Sequence, residues 1–202
     1  MMPAARESLL DAAYTALARR AWSAVRMVDV AAVAGVSRQT LYNEFGSKEG
    51  LARALVRREA DAYLAGVDRA LAAHTDARER LVAAAEWTAS AARSNALVRA
   101  MLTGCWNERL PAPALSAVPS SSAVPAQRRA DGPLPSPADF VAVVRDRAVA
   151  ALAPSRADTP EATRACELVA RLALSWVVAP PGRGGVTELV KAALTPSRRL
   201  GV

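Results

Sequence analysis

The chain has 202 residues, 52% of them hydrophobic and 22% charged, a composition that fits one or two compact globular units and is too apolar for disorder. No stretch reaches the roughly 18 unbroken apolar residues of a membrane span, and the opening MMPAARESLLDAAY meets Arg6, Glu7 and Asp11 too early for a secretory signal; the expected compartment is the cytoplasm, with no membrane partner. The net charge of +7 makes polyanions natural partners, but residues 1–50 hold six basic and five acidic side chains, so bulk charge only hints at nucleic acid.

Alanine, leucine and arginine dominate, β-branched and aromatic runs are few, and apolar positions recur at spacings of three and four, which predicts an all-α protein. Leu9, Leu10, Ala13, Tyr14 and Leu17 form the stripe of a first helix ending near Arg20. A short second helix runs from about Val28 to Ala34. Gly35 closes it by taking a positive φ, and Ser37 caps another helix reaching about Phe45. Ser47 caps a longer one carrying Leu51, Leu55, Tyr63, Leu64, Val67 and Leu71. Further helices are predicted over Ala77 to Ser94, Ala96 to Trp106, Ala138 to Leu152, Glu161 to Val178 and Val186 to Leu194. Between Pro111 and Pro137, seven prolines and a serine run leave no room for a normal helix, and the stretch reads as an irregular surface loop.

Cys105, Cys166 and the single histidine, His74, are far apart and lack any metal-ligand spacing. Neither a metal nor a cofactor is expected, and no acid–base set supports an enzyme.

The segment VDVAAVAGVSRQTLYNEF, residues 28 to 45, has the pattern of a DNA-binding helix-turn-helix. Ala31 and Ala34 let two helices approach, Gly35 turns the chain, and Val30, Val36, Leu41 and Phe45 face a shared core. At 100° per residue, Gln39, Tyr42 and Asn43 fall on one outward arc of the second helix, with Arg38 at its edge. Such side chains suit duplex DNA: Arg and Gln pair with base edges, whereas Thr, Tyr and Lys hold phosphates.

The longer stretch VDVAAVAGVSRQTLYNEFGSKEGLARAL resembles the amino-terminal signature of the TetR family of bacterial transcription regulators, over roughly residues 8 to 60. NALVRAMLTG and ELVARLALSWVVAPPG resemble its carboxy-terminal helices more loosely. The resemblance implies a helix-turn-helix domain over residues 1–47 and a helical ligand-binding and dimerisation domain over 48–202. It further implies a homodimer on a palindromic double-stranded operator, released by a small-molecule effector. By position, Arg38, Gln39 and Asn43 become candidate base readers, and Ser37, Thr40, Tyr42 and Lys48 candidate phosphate contacts. In two places the sequence departs from the family pattern. Arg26 stands where the family has a capping threonine, placing a cation at a positive helix end, and is kept as a backbone contact. Ala21 replaces the glycine before the aromatic at Trp22.

In the second part, Ala165, Leu168, Leu172 and Trp176 form one stripe of a helix whose neighbouring stripe, Val169, Ala173 and Val177, is also apolar. That excess predicts a dimer interface. Candidate ligand-binding residues are Trp87, Met101, Cys105, Trp106, Phe140 and Val144, with Glu86 and Asn107 as polar tips, suiting a lipophilic or aromatic effector. A regulator that dimerises without any effector is the alternative.

Overall fold

The computed structural model describes residues 3–112, 135–156, 159–180 and 185–195. Among these residues the chain is helical throughout, with no strand. The helices are α1 (Pro3–Arg19), α2 (Met27–Val33), α3 (Arg38–Phe45), α4 (Lys48–Ala72), α5 (Ala77–Ser94), α6 (Ala96–Thr103), α7 (Pro137–Arg156), α8 (Pro160–Val178) and α9 (Val186–Ala193), with one 3-10 turn at Trp22–Ala24.

Local chemistry explains most of the boundaries. Asp76 caps α5 by accepting from the amides of Arg78 and Glu79, and Asn95 caps α6 through those of Leu97 and Val98. Thr159 caps α8, whose first residue is Pro160, preorganised for that position. The helix predicted to reach Trp106 stops at Thr103, because Gly104 adopts φ 71° and the chain leaves in a left-handed turn. Pro137, expected at the end of a loop, instead opens α7. Ser136 and Asp139 bond each other's backbone amides there, a reciprocal cap that fixes the start. The body of the proline-rich stretch, 113–134, lies outside the described residues.

The chain divides into two compact units, Met1–Glu59 with Trp106–Leu134, and Ala60–Cys105 with Pro135–Val202. The first division falls inside α4, between Glu59 and Ala60, rather than at its start. Arg58 explains why the first half of α4 stays with α1: its guanidinium pairs with Asp11 at 2.6 Å and lies over the Tyr14 ring. In the first unit, Leu9, Ala13, Val30, Leu41, Leu51 and Leu55 are essentially solvent-free. At the expected stripe of α4, Tyr63, Val67 and Leu71 are buried and Leu64 is half-buried. In the second unit α8 packs against both α5 and α7, burying Val169, Ala170 and Ala173. Burial of a Leu or Val side chain contributes roughly 1.5–3 kcal/mol, so these stripes rather than surface polar bonds hold each unit together.

Candidate nucleic-acid interface and internal cavity

α2 and α3 meet across Gly35, at φ 68°, where Val36 N–H donates to the Ala31 carbonyl. Val30, Ala31, Leu41 and Phe45 are buried beneath them, whereas Val36 is half-buried. Ser37 caps α3: its hydroxyl accepts from Thr40 N–H at 3.0 Å and contacts the Thr40 hydroxyl at 2.9 Å. Both candidate phosphate contacts thus also set the start of the helix. With one side of α3 sealed, Arg38, Gln39, Tyr42 and Asn43 stand exposed on the other. Gln39 Nε2 donates to Asn43 Oδ1 at 2.8 Å, a bond across one turn that aligns two amides on a common edge. Side-chain amides carry both donors and acceptors, the groups that pair with base edges.

Two cations flank this surface in different states. Arg26 occupies the N-cap of α2 without capping it. Its guanidinium binds Asp29 through two bonds, at 3.0 and 2.9 Å, and Arg20 approaches the same carboxylate at 3.4 Å. The bond to Arg26 holds the Asp29 carboxyl below its ordinary range, with Arg20 adding to the effect. The sequence places a bare cation at a positive helix end; in the structure Asp29, in the first turn, faces that end instead. Lys48 donates to the Ser23 carbonyl at 3.1 Å and lies 5.5 Å from the centre of the Trp22 ring. It therefore ties the start of α4 to the turn after α1. Trp22 N–H in turn donates to the Arg109 carbonyl, beside the buried Pro111.

Two positioning contacts are absent from the predicted set. Arg6 lies 4.7 Å from the centre of the Phe45 ring and 3.7 Å from Glu44, clamping the end of α3 to α1. Nothing in the spacing of residues 6 and 45 announces it. Asp29 was findable, since it comes three residues after Arg26 and the two share a helix face.

The ligand candidates are not assembled into one site. Phe140 and Val144 line a cavity with Tyr63, Thr88, Leu102 and Leu174. Its free volume is about 10 Å³, room for one water. Met101 is buried but does not line it. Trp87 instead lies against Gly66 and donates its indole N–H to the Tyr63 carbonyl at 3.0 Å. Glu86 is exposed and accepts from the Thr187 hydroxyl. Cys105 and Asn107 are exposed, turned outward after the Gly104 break. Trp106 and Asn107 fall in the first unit, whereas the residues that line the cavity belong to the second. Tyr63 and Thr88, which helical spacing does not single out, are joined by a 3.1 Å hydroxyl bond, and burial pushes the Tyr63 phenol up to about 12.

On α8, Leu168 is 43% exposed, and Ala165 and Leu172 are half-buried. Trp176 departs from the predicted stripe: at 9% exposure it belongs with the buried Val169 and Ala173. Each four-residue step overshoots a full turn by about 40°, so the two steps from Leu168 to Trp176 carry the stripe around the helix and its last member turns inward. Val178 and, on α9, Leu189 are further exposed apolar side chains. Among the described residues, no cluster of His, Cys, Asp or Glu could hold a metal, and no helix is long and apolar enough to cross a membrane.

A capped second helix seated on a glycine turn, with one polar edge free, defines the helix-turn-helix class. Residues 9–55 match the family model described as bacterial regulatory proteins, tetR family. That match covers the amino-terminal part of the chain. The HTH-type transcriptional regulator AlkX of Mycobacterium tuberculosis is 49% identical over 69 residues, 34% of this chain and 33% of that protein. The HTH-type transcriptional activator FasR of Mycolicibacterium smegmatis is 42% identical over 81 residues, 40% of this chain and 37% of that protein. The match thus spans about a third of the length of either curated relative. The TetR family repressor AlkX of Dietzia sp. strain DQ12-45-1b, a protein implicated in biodegradation of n-alkanes, shares the fold at a TM-score of 0.53. That similarity covers 92% of this chain and 91% of that one at 24% identity.

Proposed function

We propose that this chain is a sequence-specific, DNA-binding transcription regulator acting as a homodimer, and that it is a repressor released from a palindromic operator by a small lipophilic or aromatic effector. The observation that carries the DNA-binding part is the free edge of α3, where Gln39 and Asn43 are aligned between Arg38 and Tyr42 on a helix anchored by Leu41 and Phe45. Phosphate contacts from Ser37, Thr40, Lys48 and Arg26 would set register while that edge reads bases. The family is one of regulators rather than enzymes, and the relatives named above are regulators.

Dimerisation is supported by the apolar surface around Leu168 and Leu172 with Val178 and Leu189. A two-fold dimer would present two copies of α3, which calls for half-sites separated by about one helical turn or somewhat more. The direction of control rests on the Dietzia relative, whose name says repressor, whereas FasR is named an activator. Selection of bound duplexes from a random pool, followed by footprinting, tests the reading. A pseudo-palindromic consensus is the expected result; binding of equal strength to every duplex would refute it. A regulator without an effector is the competing reading, favoured by the small free volume of the cavity.

A further inference from the structure

The Asp29 carboxylate accepts three bonds: Arg26 Nε and Nη2 donate to its two oxygens at 3.0 and 2.9 Å, and Arg20 Nη1 donates to Oδ2 at 3.4 Å. The two arginines bracket the 3-10 turn at Trp22–Ala24, and Lys48 donates to the Ser23 carbonyl of that same turn. Three of the six basic side chains in residues 1–50 thus gather around one turn, and two of them share one carboxylate. Neither guanidinium is buried: the side chains of Arg26 and Arg20 are 73% and 48% exposed. Exposed pairs of this kind are weak and exchangeable. Arg26 also gives α2 no side-chain cap bond, so drawing it away leaves the start of that helix as it is. A guanidinium binds a phosphate through the same fork of N–H groups that it offers a carboxylate.

We infer that Asp29 holds, in the free protein, the place of a DNA phosphate on Arg26 and Arg20, and that both arginines pass to the duplex backbone on binding. Arg20 is then a further phosphate contact, and Asp29 a positioning residue that limits affinity for DNA of any sequence. The inference rests on the DNA-binding reading above and goes beyond it, since that reading gives neither residue a role. Every binding event must first part the arginines from Asp29, and the freed carboxylate then faces the phosphates that replace it. Phosphates carry no sequence information directly, so the penalty is the same on every duplex. The bond from Arg26 holds the Asp29 carboxyl below its ordinary range, so the competing charge is fully present at neutral pH.

The test uses the full-length protein and measures fluorescence anisotropy on a selected and a random duplex over a range of salt concentrations, with a thermal melt of each variant. Asp29→Asn should tighten binding to both duplexes by the same factor, about three- to fivefold per half-site. In an Arg20→Gln/Arg26→Gln background the same substitution should gain less than about twofold, because no arginine is left to release. Arg20→Gln alone should weaken binding to both duplexes and lower the magnitude of the salt slope by about one per half-site, with an unchanged melting temperature. A gain from Asp29→Asn of equal size in both backgrounds would show a bare charge repelling DNA and overturn the inference, as would no gain in a folded Asp29→Asn. Arg20→Gln keeps the idea open to refutation if Asp29→Asn does not fold: an unchanged affinity and slope would remove Arg20 from the DNA contacts. Wild-type protein that binds no duplex would overturn the DNA-binding reading itself, a failure visible before any variant is compared.

Discussion

Gln39→Ala separates base reading from folding. In the free protein Gln39 is exposed and its bond is to Asn43, one turn along the same helix. Pairs of that kind stabilise a helix by roughly 0.2–0.5 kcal/mol, and alanine is the better helix former by a similar amount. The two effects offset, so the melting temperature should stay within about 2 °C of wild type. On DNA the same side chain is one of few amides able to form a bidentate contact with a base, worth roughly 1–3 kcal/mol of discrimination. Affinity for the selected duplex should therefore fall about 5- to 140-fold, with little change on random duplex. Fluorescence anisotropy against both duplexes at one salt concentration reads the difference. Duplexes substituted at each position in turn should then show the preference relaxed at one base pair per half-site. Equal losses on selected and random DNA would mean that Gln39 does not read bases, and a fall in melting temperature of several degrees would mean that it supports the fold.

Lys48→Ala should weaken binding to all duplexes and lower the magnitude of the salt slope by about one; because its ammonium also holds the Ser23 carbonyl, a melting temperature unchanged to within error would remove the structural half of this role. Asp29 has a carboxyl held below its ordinary 3.8, chiefly by its bond to Arg26, so its contribution to stability is present above that value and is lost as pH falls through the lower folded-state pKa. The acid limb of a pH–stability profile should accordingly be shallower in Asp29→Asn, and identical profiles would contradict the pairing. Gly66→Ala would normally stabilise a helix by about 1 kcal/mol, but a methyl group there meets the Trp87 ring at 2.1 Å. Overpacking and loss of the indole bond to Tyr63 should outweigh the gain, destabilising by about 1–3 kcal/mol in urea titrations; a more stable variant would refute it. Leu168→Glu should yield monomers in sedimentation with much weaker operator affinity, and an unchanged dimer would move the interface elsewhere.

The order of helices was legible in the chain because its signals are local. Gly35 must sit where φ is positive, Ser37 can cap only the helix that begins after it, and a period of 3.6 assigns Leu41 inward and Gln39 outward without reference to any other helix. Those are the same signals that make the exposed polar edge of α3 readable, and the family model's match, residues 9–55, contains that stretch. The internal site was not readable in this way. Which of several apolar side chains line a space depends on how four helices pack, and the helical period cannot separate Met101, which is buried in solid core, from Phe140, which borders a cavity. Tyr63 and Thr88 lie on different helices and become a pair only through tertiary contact. Likewise Trp176 shares a stripe with Leu168 on paper, but slow rotation of that stripe around α8 leaves one exposed and the other buried. Local hydrogen bonding and periodicity determined where helices begin, end and face. Only the packing of those helices decided which contacts enclose space, which cations find a carboxylate on another helix, as Arg58 finds Asp11, and which apolar side chains stay exposed.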